Sequence, residues 1–449
     1  MDNHISEDEL IVYAFSPNAV SPERRTAIER HTSACASCRA TRDFFAVAEE
    51  DLGDVDLWEQ AAGSATLDAL TAYAERIAEE DEEAEELLKP LLGAPAKAAW
   101  KNLLAERRFR SGGVVRRLTA HAASIADDEP LAALTFADAA ISIAEALPDD
   151  LYPAAAVYEI RGRAWEERGY AQCMLGEFKE AHESLAHAEH LHKRVASPSL
   201  GLARVAYSRA NVLYEQQRLS DAAAMAERAE HAFAHLGDDD LRMKAVYLRA
   251  SIRFEARDLE TAIILFQQVA DYGESVDKSE WIARAANALG KCEVLRGNLS
   301  AASMHFHTAL VLFREIGPPS ERISTEWGIA KVLLHSGKRS EAIRRLRDIA
   351  AEFELRGMIT DAALVGLDIA DGLLGMGHTQ QIVDLATRLF RVFTNAGMLT
   401  GALSALAYIK EAASAGTLTA NDLETVRGFL RRAERQPALL FVPPPLKNR

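Results

Sequence analysis

Cysteine, proline, glycine and aromatic residues are all scarce in this chain, and basic residues are outnumbered by acidic ones. Four cysteines in 449 residues cannot form the dense framework of disulfides that small secreted domains rely on, and they suit a reducing, cytoplasmic setting. Only 25 Gly and 14 Pro leave too little turn chemistry for a β-sandwich or a parallel-sheet enzyme. Lys and Arg number 51 against 67 Asp and Glu, a formal charge of −16; direct nucleic-acid binding through phosphates needs the opposite balance. No uninterrupted apolar run reaches the roughly 18 residues of a spanning helix, and the acidic N-terminus lacks the basic and apolar parts of a secretory signal. No membrane partner is expected. In place of these residues stands alanine, 81 times over, which points to an all-α protein. The length fits about three domains, or one small domain plus an extended array.

Two of the four cysteines fall in His31-Thr-Ser-Ala-Cys35-Ala-Ser-Cys38. A zinc ion wants four tetrahedral nitrogen or thiolate ligands, and H-x3-C-x2-C supplies three from a helix end and the turn after it. Ser21-Pro-Glu-Arg starts that helix with an N-cap and a proline at its first position, so His31 lies at its C-terminal end and the cysteines at the break. His4, just ahead of a first helix over residues 6–15, is the best candidate for the fourth ligand, with Glu7 and Glu9 as weaker substitutes. The rival reading is a dithiol redox pair. It expects a βαβ setting, whereas the sequence is helical on both sides.

His4-Ile-Ser-Glu-Asp-Glu-Leu, Ser21-Pro-Glu-Arg-Arg, Ile28-Glu-Arg-His31 and Cys35-x2-Cys38-Arg39 together resemble the zinc-finger domain of bacterial anti-sigma factors, over residues 1–50. The resemblance implies Zn2+ held by His4, His31, Cys35 and Cys38, and a group IV sigma factor as partner of residues 1–50. Some members of that family release sigma when their thiolates oxidise. Unlike many members, this sequence has no transmembrane helix after the domain. Residues 51–110 read as a helical and acidic linker, with seven acids in the eight positions Glu79 to Glu86. Such a run is ordinarily a solvated helix face; docking into a basic groove of the same chain is the sharper alternative.

From about residue 160 the chain repeats. Ala181, Ala222, Ala262, Ala302, Ala342 and Ile382 are spaced 41, 40, 40, 40 and 40. Twelve residues before each stand Gly169, Ala210, Ala250, Gly290, Ala330 and Ala370, and seven after stand Ala188, Ala229, Val269, Ala309, Ile349 and Leu389. Turn sequences such as Gly176-Glu-Phe, Arg257-Asp-Leu and Gly297-Asn-Leu fall between the first two tracks. Each unit is therefore a helix pair whose helices cross at small residues. Trp165, Gly169, Gly176, Phe178, Ala181, Leu185 and Ala188 resemble a tetratricopeptide (TPR) repeat, lengthened from its usual period of about 34. Residues 114–126 and 130–147 read as a degenerate first pair, and 403–413 and 420–435 as a closing one. The resulting expectation is a small zinc-binding helical domain followed by a TPR-like α-solenoid over residues 111–435 and a proline-rich tail over 436–449.

In that fold the first helix of each pair lines the concave face. Its second position reads Arg163, Arg204, Lys244, Arg284, Ser324 and Leu364; its fifth reads Glu166, Tyr207, Tyr247, Asn287, Trp327 and Leu367; its ninth reads Tyr170, Asn211, Ser251, Lys291, Lys331 and Asp371. Cations, amides and aromatics in register suit an extended peptide. The alternative is that the cations only pair with acids on neighbouring repeats. His182, His187, His190 and His192 spread over more than one helix face and read as solvated, and Cys173 and Cys292 as packed small residues. With no phosphate loop, nucleophile elbow or H-E-x-x-H motif, no enzyme is expected. The leading expectation is a cytoplasmic regulator in which an anti-sigma-like domain is governed by a peptide-sensing solenoid; the alternative is a TPR scaffold or peptide-responsive adaptor whose zinc domain is structural or a docking module.

Overall fold

The computed structural model describes residues 5, 13, 20–35, 38–39, 64–92, 106–147, 152–195, 199–316, 319–395, 400–435 and 439–444. They divide into two units, 1–82 and 83–449. All 18 regular α-helices described lie on the path of an all-α chain, with no strand among the described residues.

In the first unit, α1 (Pro22–Ala34) begins where the sequence places it: the Ser21 hydroxyl accepts from the Arg24 N–H at 3.4 Å and Pro22 takes the first turn. The helix ends at Cys35, whose backbone is extended. Ile28 and Cys38 are buried there, with Ile5, Tyr13, Val20 and Cys35 packed against them. Of the helix expected over residues 6–15, only Tyr13 lies within the described residues. Helix α2 (Ser64–Leu88) carries the acidic run.

From Glu83 onward α2 belongs to the second unit, where Ala84 and Leu88 are buried in one core with Phe109, Val114 and Leu118. Glu85 pairs with Arg117 at 3.2 Å. Residues 83–86 are thus a helix end facing the first hairpin, not a segment docked in a groove; the two apolar side chains on the opposite face of the acids decide this.

Hairpins then follow one another to Arg435: α3 (Gly112–Ile125) with α4 (Pro130–Glu145), α5 (Ala154–Met174) with α6 (Phe178–His192), α7 (Leu200–Glu215) with α8 (Leu219–His235), and α9 (Asp239–Glu255) with α10 (Leu259–Ser275). They continue as α11 (Ser279–Arg296) with α12 (Leu299–Ile316), α13 (Pro319–His335) with α14 (Arg339–Leu355), α15 (Ile359–Leu374) with α16 (Thr379–Asn395), and α17 (Thr400–Ser414) with α18 (Ala420–Arg435). The track from Ala181 to Ile382 is 0% exposed at all six positions. The physical cause is close crossing. A methyl group added at Gly169 would come within 2.8 Å of Leu185, and one at Gly290 within 2.7 Å of Phe306. The Phe306 ring is wedged between Gly290 of its own hairpin and Gly328 of the next.

The last hairpin departs from the regular stack. Helix α17 packs on α16, but it is α18 that packs along α15. Leu364 and Leu367 lie in one core with Val426, Phe429 and Leu430, and Arg427 bonds Asp368 at 2.7 Å. The tail over 439–444 is non-helical, as its prolines require, and Phe441 packs on Phe429 and Tyr408 at 5.0 and 5.8 Å.

Adding one methyl at Gly290 or Gly328 overpacks the Phe306 site, so Gly290→Ala and Gly328→Ala are each expected to destabilise the solenoid by about 1–3 kcal/mol, read as a lowered urea midpoint. Pairing either with Phe306→Leu should recover part of that loss.

Candidate functional site

Two constellations stand out. In the first unit the end of α1 brings His31, Cys35 and Cys38 together, their ligand atoms all within 4.8 Å of one another. The backbone holds this turn: the Cys35 N–H donates to the His31 carbonyl at 2.8 Å and the Arg39 N–H to the Cys35 carbonyl at 3.0 Å. Arg39 also caps the helix, its guanidinium donating to the Thr32 and Ser33 carbonyls at 3.0 and 2.8 Å. Desolvation holds the Cys38 thiol above its ordinary range, with charge at Cys35 adding to it. A thiol held protonated in this way is relieved by a bound cation. Zinc–ligand bonds of about 2.0–2.3 Å in a tetrahedron place ligand atoms roughly 3.3–3.8 Å apart, so a modest contraction would bring the set to that geometry. Three donors of the right type fit the ion, and His4 lies outside the described residues. No second His, Cys, Asp and Glu group of this kind occurs among the described residues.

The second constellation lines the first helices of the solenoid. Tyr170 donates to Asp127 at 2.8 Å, and the Asp127 charge also reaches Tyr207 and Arg284. Asp127 and Arg284, from hairpins four apart in the stack, therefore lie close enough for their charges to interact. Burial raises the hydroxyls of Tyr170, Tyr207 and Tyr247, keeping all three neutral. Asn211 is turned back, donating to the Tyr207 carbonyl at 3.1 Å, and Asn287 is buried. Trp327 donates to Asp368 at 2.7 Å.

The four cations of the second position divide. Arg163 is spent on Glu166 and Glu167, at 2.7 and 2.5 Å. Arg284 lies 3.2 Å from Glu280 and 3.8 Å from Glu321. Arg204 and Lys244 form no ion pair among the described residues, and burial, followed by the neighbouring Arg163, pulls the Arg204 guanidinium below its ordinary range. Pairing within the protein thus accounts for half of the ladder. Lys291 and Lys331, at the ninth position, likewise form no ion pair among the described residues: Lys291 bonds the Ser324 hydroxyl at 3.4 Å, and Lys331 lies over Trp327 at 5.6 Å.

Comparison with known proteins addresses the fold. No family model matches the sequence, and no curated protein matches it. Among solved structures, a Rap protein complexed with competence and sporulation factor is similar over 72% of this chain and 87% of its own, at a TM-score of 0.54 and 14% identity. The apo form of the quorum sensor NprR from B. thuringiensis aligns over 80% of this chain and 99% of its own, at a TM-score of 0.46 and 12% identity. The solenoid is a TPR-like helical-repeat fold.

Within this TPR-like solenoid the histidines of α6 do not converge. His187 stacks on Trp165 at 4.4 Å. His192 departs from the solvated reading: it is 0% exposed and 3.0 Å from Glu159, in a slot that exists because Gly162 and Gly201 lack side chains. Those two glycines were the available signal. Cys173 and Cys292 are buried, and burial pushes the Cys292 thiol up to about 12, which leaves it unreactive. No helix among the described residues is long and apolar enough to cross a membrane.

Two outcomes are expected. Purified protein should carry about one zinc per chain, measured by elemental analysis, and His31→Ala or Cys38→Ser should abolish it. Glu167 is pushed up to about 7 by burial, with Arg163 opposing and Glu166 adding. A folded value above the unfolded 4.5 means its favourable contribution is complete below that value and lost as pH rises to about 7. Thermal unfolding of Glu167→Gln should therefore gain on the wild type between pH 5 and pH 8, since the amide keeps an acceptor for Arg163 and avoids the buried charge.

Proposed function

We propose that this protein is a protein-interaction adaptor of the cytoplasm, whose TPR-like solenoid takes an extended peptide segment of a partner along its inner face. The observation that carries this reading is the set of cations, Arg204, Lys244, Lys291 and Lys331, held beside neutral Tyr207, Tyr247 and Trp327 with no carboxylate of their own within 4 Å among the described residues. Arg204 and Lys331 are half-buried, while Lys244 and Lys291 are exposed; a half-buried cation without an ion pair is costly, and a ligand bearing carboxylates offsets that cost on binding. The Rap protein of similar fold was solved with competence and sporulation factor, which agrees with a partner-binding use of the fold.

In this reading Zn2+ on His31, Cys35, Cys38 and His4 makes the first unit a structural or docking module, because so small a helical unit buries too little to be stable alone. The metal supplies folding energy and takes part in no reaction. A second reading rests on the same cluster and on the anti-sigma-like sequence around it: the zinc-bound unit binds a group IV sigma factor and the solenoid governs its access.

Affinity purification from cells separates the two. The full chain, a Lys244→Glu/Arg204→Gln variant and a Cys35→Ser/Cys38→Ser variant are compared by mass spectrometry of what co-purifies. A partner lost only with the groove variant supports the adaptor. A sigma factor lost only with the cysteine variant supports the second reading, and partners retained by both variants overturn both.

A further inference from the structure

The groove has a closed end. Along the second position of the repeats, Arg163, Arg204, Lys244, Arg284 and Ser324 all keep access to solvent, whereas Leu364 is 5% exposed and its neighbours Leu367 and Asp368 are 1% and 3% exposed. Helix α18 lies along α15 where the lining of the next repeat would be, and Arg427 is bonded to Asp368. An extended chain entering from the N-terminal side cannot run on past this helix.

The charges at this closed end do not balance. Lys291 from α11, Lys331 from α13 and Arg427 and Arg431 from α18 are close enough to perturb one another, with Asp361 and Asp368 as the acids among them. Asp368 is used twice, accepting from Trp327 and from Arg427, each at 2.7 Å. Glu321, the next acid near Lys291, lies beside Arg284. Lys291, Lys331 and Arg431 therefore have no ion pair among the described residues, and they come from three separate elements. Lys331 is half-buried, and desolvation lowers its ammonium from its ordinary range despite the charge of Asp368, while Lys291 stands exposed beside it. Asp361 is shifted the other way, raised by burial despite the nearby Lys291 and Arg431, so it neutralises them poorly.

We propose that Lys291, Lys331 and Arg431 form a seat for the C-terminal carboxylate of a peptide lying in the groove. The inference rests on the peptide-groove reading above and adds to it a direction and a stop. A closed end admits the end of a chain, and the end that carries negative charge is the carboxyl terminus. Trp327, beside Lys331 at 5.6 Å, offers an aromatic face to the last side chain. The unpaired Arg204 and Lys244 would lie further back along the peptide, where its acidic side chains could reach them.

The test uses the full chain and two pools of random octapeptides, one with free C-terminal carboxylates and one amidated, with retained peptides read by mass spectrometry. Retention of the free-acid pool at about tenfold or more over the amidated pool, abolished in Lys291→Ala/Lys331→Ala and weakened in Arg431→Ala, is the expected result. Equal retention of both pools overturns the seat while leaving the groove reading intact, and acidic residues enriched at internal positions in both pools would assign the cations to side-chain carboxylates instead. Retention of neither pool overturns the groove reading and the seat with it. Acetylation by acetic anhydride gives a measurement that needs no variant: the free-acid pool should protect Lys291 and Lys331 and the amidated pool should not. Circular dichroism melting checks that the variants remain folded.

Discussion

The close crossing of paired helices, made possible by residues too small to hold them apart, is the constraint on which the solenoid depends. Each repeat places Gly or Ala on its first helix opposite Ala or Ile on its second, and the large side chains next to the crossing, Leu185 and Phe306 among them, fill the space that a missing Cβ leaves. Because neighbouring hairpins share those side chains, as Phe306 is shared by Gly290 and Gly328, the crossing geometry passes from one repeat to the next. A fixed rotation per repeat follows, and with it a curved inner face.

That inner face explains a charge pattern that composition conceals. The chain carries a net −16, yet its groove contains cations that the protein does not neutralise. Arg163 and Arg284 have acids placed one helical turn away or on the next repeat, which is how a structural arginine is satisfied. Arg204, Lys244, Lys291 and Lys331 have acids within reach of their charge but form no ion pair among the described residues. The difference between these two groups follows from which residues stand opposite in the neighbouring helix.

Much of the architecture was legible from periodicity. The three small-residue tracks, the helix start at Ser21-Pro22, the break at Cys35 and the non-helical tail all appear where local chemistry places them. Features made by residues distant in sequence were not legible in the same way. His192 reads as one of four scattered histidines, and its burial depends on Gly162 and Gly201 from two other helices. The acidic run reads first as a solvated helix face and, as the sharper alternative, as a groove ligand; the burial of Ala84 and Leu88 against the first hairpin makes its end, residues 83–86, a helix face. Leu364 and Leu367 fit the repeat register as groove positions, but α18 covers that end of the groove.

The sequence by itself determined the helical class, the forty-residue period and the convergence of His31, Cys35 and Cys38, because each depends on residues within a few turns of one another. Only the tertiary structure decided which cations stay unpaired and where the groove ends. Both depend on the rotation accumulated from repeat to repeat and on the final hairpin turning α18 toward α15, and no local spacing encodes either.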